Sequence, residues 1–287
     1  MPEDHASAWH ELLGLLDVQR LGPHSFRGSP PSIEWGVPYG GLLLAQALAA
    51  ATRTVDADLH VRSLHCYFVQ AGSGHGPVAI EVHVVRDGRS TGWRTVEVTQ
   101  SDRLLLRVEM MFASDSSGPS HQAPRPDAPD PEQCPKVADQ LGAYDDTFHP
   151  WDHRSAFDLR YVTEPPRLQA NQPGEPRTTA WIGRGGEAPV DRGLCAALLT
   201  YASDLCMLDA CLLPHGLWFG EGSSSGFSLD HSVWFHAPAR VPQWMLMTQS
   251  SPGMREGRGL SQAQLFADDG QLLLSIAQLG SIRPSRR

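Results

Sequence analysis

Two runs of this chain are apolar on nearly every helical face. YGGLLLAQALAAATRTV at 39–55 and RGLCAALLTYASDLCMLDACLL at 192–213 consist mostly of Ala, Leu and other strong helix formers. A helix without a polar face must be surrounded by protein. Each run is followed by segments with the period-two alternation of strands: HVRSLHCYFV, PVAIEVHVV, GWRTVEVTQ and RLLLRVEMMFA after the first, GFSLDHSVWFHAP, QWMLMTQSS, GLSQAQLFA and QLLLSIAQLGSI after the second. Arg86-Asp87-Gly88-Arg89, Gln100-Ser101-Asp102 and Asp269-Gly270 read as hairpin turns, and TTAWIGRG as a short strand ahead of the second helix.

The order helix then strands, given twice, predicts an α+β architecture of two fused units. In each, one buried helix fills the concavity of an antiparallel sheet, and the two sheets lie side by side and join. Strand–helix alternation is absent, which disfavours a doubly wound parallel sheet. Details echo between the halves. Leu64-His65-Cys66-Tyr67-Phe68 is answered by Asp230-His231-Ser232-Val233-Trp234, and Leu104-Leu105-Leu106 by Leu272-Leu273-Leu274. The expected division is a first unit over 1–114, a partly Pro-rich linker region over 115–170 and a second unit over 171–287. Residues 115–135 and 164–177 are rich in Pro and polar residues without periodicity. Between them, Trp151 and Phe157 are candidates to pack on a neighbouring surface.

Composition excludes several classes. A net charge of −9 disfavours non-specific nucleic-acid binding. No run reaches the roughly 18 apolar residues of a membrane span, and MPEDHASAWHELLGLL lacks the basic region of a signal peptide. Five cysteines without C-x-x-C spacing read as buried free thiols. The cytoplasm is the expected compartment.

Asp204 stands inside the second apolar run, where its helical neighbours are Ala197, Thr200, Tyr201, Met207, Leu208 and Cys211. A carboxylate there is costly unless something satisfies it; a structural bond to Thr200 is the bland account. Asp209 reads as structural. Ser228 and Gln278 lie in strands of the second unit. Aligning the two halves sets Arg62 opposite Ser228 and Met110 opposite Gln278, so the first half keeps the scaffold without these polar groups.

YASD (201–204), SLDHSVWFHAP (228–238), AQLGSIR (277–283) and the N-terminal FRG…YGG and RDGRS segments resemble the acyl-CoA thioesterase II family, in order and over almost the whole chain. The resemblance implies a double hot-dog fold and hydrolysis of acyl-CoA to free acid and CoA, with no cofactor besides the CoA thioester substrate. It also implies a catalytic trio falling on Asp204, Ser228 and Gln278, and further pairing of double hot-dog subunits into a homo-oligomer. Many members carry Thr where this chain has Ser228; the hydroxyl is kept. In this reading Asp204 is the general base, while Ser228 and Gln278 orient the water.

Three other readings compete. Gly222-Ser223-Ser224-Ser225-Gly226 matches a G-x-S-x-G elbow, with Ser224 as nucleophile and Asp230 and His231 or His236 as partners, but a strand-like segment follows it where the motif requires a helix, and the low-complexity run reads as a chance match in a flexible loop. His231 should point away from Ser228 if the strand is regular. A metal site is disfavoured: His231 and His236 would face opposite sides of a strand, and Pro150 interrupts a helical pairing of His149 with His153. A non-catalytic acyl-CoA-binding protein, or a hot-dog hydratase, remains as an alternative. Arg86, Arg89, Arg94, Arg255 and Arg258 are available to meet CoA phosphates.

Overall fold

The computed structural model describes residues 3–29, 37–141, 156–220 and 222–285. The first half runs α1 (Glu3–Leu16), β1 (Gln19–Arg20), β2 (Ser25–Gly28), α2 (Gly40–Thr52), β3 (His60–Phe68), β4 (Val78–Asp87), β5 (Thr91–Gln100) and β6 (Arg103–Ala113). After the 115–135 stretch come α3 (Val137–Leu141), β7 (Phe157–Tyr161), β8 (Arg177–Arg184), α4 (Arg192–Ser203), α5 (Asp209–Leu212), β9 (Ser224–Ser228), β10 (Asp230–Phe235), β11 (Trp244–Arg255), β12 (Arg258–Ala267) and β13 (Leu272–Pro284).

All strand pairings among the described residues are antiparallel, in one sheet ordered β1-β2-β4-β5-β6-β3-β10-β13-β12-β11-β8-β7, with β9 added on β13. The order is a mirrored repeat. In each half a strand that follows the buried helix (β3, β10) returns to pair with the last (β6, β13), and β3 and β10 pair with each other at the seam. The segments that echo each other in sequence are therefore antiparallel neighbours, with His65 opposite Ser232 and Leu64 opposite Val233. Among the described residues, thirteen strands curling around two helices make the double hot-dog.

α2 and α4 pack on one another inside the sheet. Leu44, Ala45, Ala47 and Leu48 of α2, with Ala197 and Leu198 of α4, have no exposed surface. The buried polar exception in α2, Gln46, donates from Nε2 to the carbonyls of Leu15 and Ser29, both at 2.8 Å, while its Oε1 is buried without a hydrogen-bond partner among the described residues. Gln100-Ser101-Asp102 turns with φ of 49° and 62° at Ser101 and Asp102, the left-handed pair that a tight hairpin requires.

Three expectations are corrected. The helix expected over 192–213 stops at Ser203. Asp204 is its C-cap, the chain turns over 204–208 with Cys206 at φ 51°, and a short second helix follows. A left-handed residue ends a helix, and with no Gly or Pro here the sequence did not announce it. The strand expected over 226–238 is two strands, β9 and β10, that part at Leu229. The stretch around Gly222–Gly226, read as a flexible loop, enters the sheet as β9.

The 115–170 region supplies the edge strand β7 and holds the second half. Trp181 Nε1 donates to the Pro129 carbonyl at 2.9 Å, and Gln122 bonds both Leu272 N and Gly270 O. Phe157 packs edge-on against Trp9 at 5.4 Å and stacks on Tyr201 at 5.9 Å. Trp151, His149, Pro150 and His153 lie outside the described residues. All five cysteines are buried and free.

Candidate active site

Asp204, Ser228 and Gln278 line one cavity of about 1020 Å³, with walls from both halves: Tyr39, Leu43, Phe68 and Leu105 from the first, Met207 and Trp218 from the second. Each arrives from a different element. The end of α4 at Ser203 turns the Asp204 side chain out of the helix stack and toward the cavity, yet it remains only 8% exposed. Ser228 ends β9, opposite Gly280 of β13. Gln278 lies two residues earlier on β13 and is buried. Its Nε2 donates to Ser228 Oγ at 2.7 Å.

Burial pushes the Asp204 carboxyl up to about 7; hydrogen bonds from Gln278, the Gly41 amide and Ser228 temper the rise. The Gly41 contact comes from the other half. Gly40 and Gly41 form the first turn of α2, whose unpaired amides and positive dipole end face the carboxylate. Gly40 is there for clearance, since a Cβ would stand 3.3 Å from Asp204 Oδ2 and 3.0 Å from the Phe68 ring. Tyr39 Oη reaches the Tyr201 carbonyl at 3.2 Å and ties the two helices beside the site.

A carboxylate near neutral pKa, a hydroxyl and a primary amide thus meet in a mostly apolar cavity. That set can hold a water, take a proton from it, and donate hydrogen bonds to developing negative charge.

His231 was expected on the opposite face from Ser228. It is fully buried beside Gln278, with Nδ1 in a short hydrogen bond to Gln278 Oε1 and Nε2 2.8 Å from Ser203 Oγ. Strand alternation does not carry across the break at Leu229, whose N bonds Leu279 O while its own carbonyl accepts from Phe68 N. Alternation within β10 does hold: His231, Val233 and Phe235 all point inward.

Ser224 is buried with its hydroxyl donated to the Trp218 carbonyl at 2.5 Å. The side chains proposed as its partners are engaged elsewhere: Asp230 accepts from Leu279 N, His231 meets Gln278 and Ser203, and His236 meets Ser275 at 2.8 Å. Among the described residues, no group of three His, Cys, Asp or Glu is placed to hold a metal ion.

Of the five arginines available from sequence, none lines the cavity. Arg94 is buried in a structural cluster with Thr54 and Asp87. Arg86 lies over Trp93, and Arg255 and Arg258 contact Glu256. An arginine not singled out, Arg167, does line the cavity, 4.5 Å above the Trp218 ring. It follows Pro165 and Pro166 in a stretch that reads as linker. The sequence also gave no warning that Asp209 lines the cavity, where Tyr161 Oη donates to its Oδ2.

Comparison with known proteins identifies the family. Residues 29–113 match the family model for the acyl-CoA thioesterase N-terminal domain, and residues 131–282 that for the acyl-CoA thioesterase C-terminal domain. The chain is 35% identical to acyl-coenzyme A thioesterase 8 of Mus musculus over 95% of its length and 88% of that protein. It is 30% identical to acyl-CoA thioesterase 2 of Haemophilus influenzae, over 96% and 97%. Among solved structures, it superimposes on the acyl-CoA thioesterase II TesB2 of Mycobacterium marinum with a TM-score of 0.77 at 28% identity, covering 96% of this chain and 98% of that one. With both domain models matched in order and full-length relatives on either side, this chain belongs to the acyl-CoA thioesterase II family of double hot-dog proteins.

Proposed function

We propose that the protein hydrolyses acyl-CoA thioesters to free acid and CoA with a water activated directly by Asp204. The observation that carries this reading is the meeting of Asp204, Ser228 and Gln278 at one wall of an apolar cavity, with Gln278 Nε2 on Ser228 Oγ at 2.7 Å. The water oxygen attacks the thioester carbonyl carbon as its proton passes to Asp204. The tetrahedral oxyanion is stabilised by Gln278 and by hydroxyl or amide donors around it, then collapses with loss of the CoA thiolate. A base near 7 suits neutral pH, since it is substantially ionised there and still basic enough to take the proton. Thioester hydrolysis in this form uses no cofactor, and the acyl-CoA is the partner the cavity receives.

In this reading the units over 1–114 and 171–287 divide the labour. The second holds the reacting side chains; the first contributes cavity wall and the α2 amides. Five buried free thiols favour a reducing compartment such as the cytoplasm. Release of free thiol from acyl-CoA by the wild-type protein, and its loss in Asp204→Asn, tests the proposal. Binding of acyl-CoA without turnover would replace it with a carrier function.

A further inference from the structure

We propose that His231 is a positioning residue for this hydrolysis, holding the Gln278 amide with its oxygen toward the imidazole and its nitrogen toward Ser228 and Asp204. The inference rests on the reading of Asp204, Ser228 and Gln278 as the water-binding trio. Its basis is a buried line of side chains running inward from the cavity: Ser228 Oγ, the two ends of the Gln278 amide, the two ring nitrogens of His231, and Ser203 Oγ. The imidazole and Gln278 are cross-strand neighbours, the next residues along from the Ser232–Ala277 pair of β10 and β13.

Proton accounting fixes the direction of this line. A primary amide has a donor end and an acceptor end, and a 180° turn exchanges them. Turned the wrong way, Gln278 would set its carbonyl oxygen against the Asp204 carboxylate, two acceptors without a proton between them. Ionised Asp204 therefore selects the orientation with NH₂ toward itself and Ser228. That leaves Oε1 facing His231, which must present a proton on Nδ1. The buried imidazole is neutral, because desolvation lowers its pKa to about 4, so Nε2 is an acceptor. Ser203 Oγ lies 2.8 Å from both Nε2 and the Thr200 carbonyl, and this orientation requires its single proton to go to Nε2 in place of the carbonyl.

The arrangement also works in reverse. With its proton on Nδ1, His231 rejects the amide nitrogen and so prevents the flip. Without the imidazole, Gln278 is free to spend part of its time with the carbonyl toward the substrate, and the donors are lost for that fraction.

The test is a double-mutant cycle with a rescue arm, using His231→Leu, His231→Asn, Gln278→Ala and the His231→Leu/Gln278→Ala pair. Steady-state thiol release and thermal midpoints are measured on each full-length protein. Loss of an oriented donor costs about 10²-fold in kcat, which is the expectation for Gln278→Ala, while His231→Leu should lose about 10-fold or more with KM within about two-fold. His231→Asn, whose side-chain nitrogen reaches the Nδ1 position, should recover most of that. In the Gln278→Ala background the His231→Leu change should cost nothing further, because its effect passes through the amide. Full kcat in His231→Leu, or losses that multiply in the double variant, overturns the proposal. Full kcat in Gln278→Ala instead overturns the trio on which it rests. A ¹⁵N spectrum of histidine-labelled wild-type protein, with His231 assigned by comparison with His231→Asn, gives a readout that needs no leucine variant to fold. A neutral ring protonated on Nδ1 supports the proposal, and one protonated on Nε2 defeats it.

Discussion

Gly40 of the first half faces Asp204 of the second with no room for a side chain between them: a Cβ on Gly40 would sit 3.3 Å from Asp204 Oδ2. The base of one unit is thus placed against the helix N-terminus of the other. Gly40→Ala forces either the carboxylate or the Phe68 ring to move by a few tenths of an ångström. Because positioned groups lose about 10²-fold for a displacement near 1 Å, the expected result is a several-fold fall in kcat with little change in thermal midpoint. An alanine variant with wild-type kcat would show that the fit is not demanding.

Asp204→Asn removes the base while keeping its shape. The expected loss in kcat is about 10²-fold or more, whereas Ser228→Ala should cost less because two groups still hold the water. The pH profile is the sharper check. Asp204 works ionised, so kcat/KM should rise with pH and level off above about 7. The residual activity of the asparagine variant should lack that limb.

Covalent chemistry separates two hydrolase mechanisms. Ser224 donates its hydroxyl to a carbonyl, and the carboxylate that Ser228 hydrogen-bonds, Asp204, is committed to the water in this reading. A serine nucleophile needs a base within hydrogen-bond reach. Rapid-quench mass spectrometry with a slowly turned-over acyl-CoA should find unmodified protein and no burst of CoA. An acyl group trapped on either serine would replace the direct-water mechanism and leave the overall reaction unchanged.

Asp209 carries a prediction about stability. Burial raises its carboxyl to about 7, against the donation from Tyr161. A carboxyl whose pKa is higher folded than unfolded favours the fold while protonated. That contribution is complete below about pH 4 and is lost as pH rises toward 7. The shift of about three units corresponds to at most about 4 kcal/mol. Asp209→Asn keeps an acceptor for Tyr161 and has nothing to ionise, so it should be more stable than wild type at pH 8 and close to it at pH 5. Asp204 contributes in the same direction and remains in both proteins. Denaturant titrations at the two pH values measure the difference.

Arg167 lines the cavity over Trp218, while the arginines that sequence made available do not. A guanidinium there can meet a phosphate of CoA. Arg167→Ala should raise KM for acyl-CoA and leave KM for the matching acyl-pantetheine, which lacks those phosphates, unchanged. An equal effect on both substrates would assign Arg167 to cavity shape.

The sequence by itself determined the architecture of this protein. Two runs apolar on all faces have to be enclosed, and the alternating segments after each supply the sheet that encloses them, so the repeat and its antiparallel order were legible from periodicity. Asp204, Ser228 and Gln278 were legible as polar residues in apolar surroundings, singled out by a resemblance that spans the chain. The end of α4 at Ser203 was not legible, since Cys206 takes a left-handed conformation that nothing in its residue type signals. Nor was the side to which His231 points, because period-two alternation is a rule for an unbroken strand and the chain breaks at Leu229. Gly40 entered the site only when the two halves closed on one another, and Arg167 and Asp209 when the segment around 161–167 packed on the second half. Their roles are fixed by distances between segments remote in sequence, and local pattern carries no information about such distances.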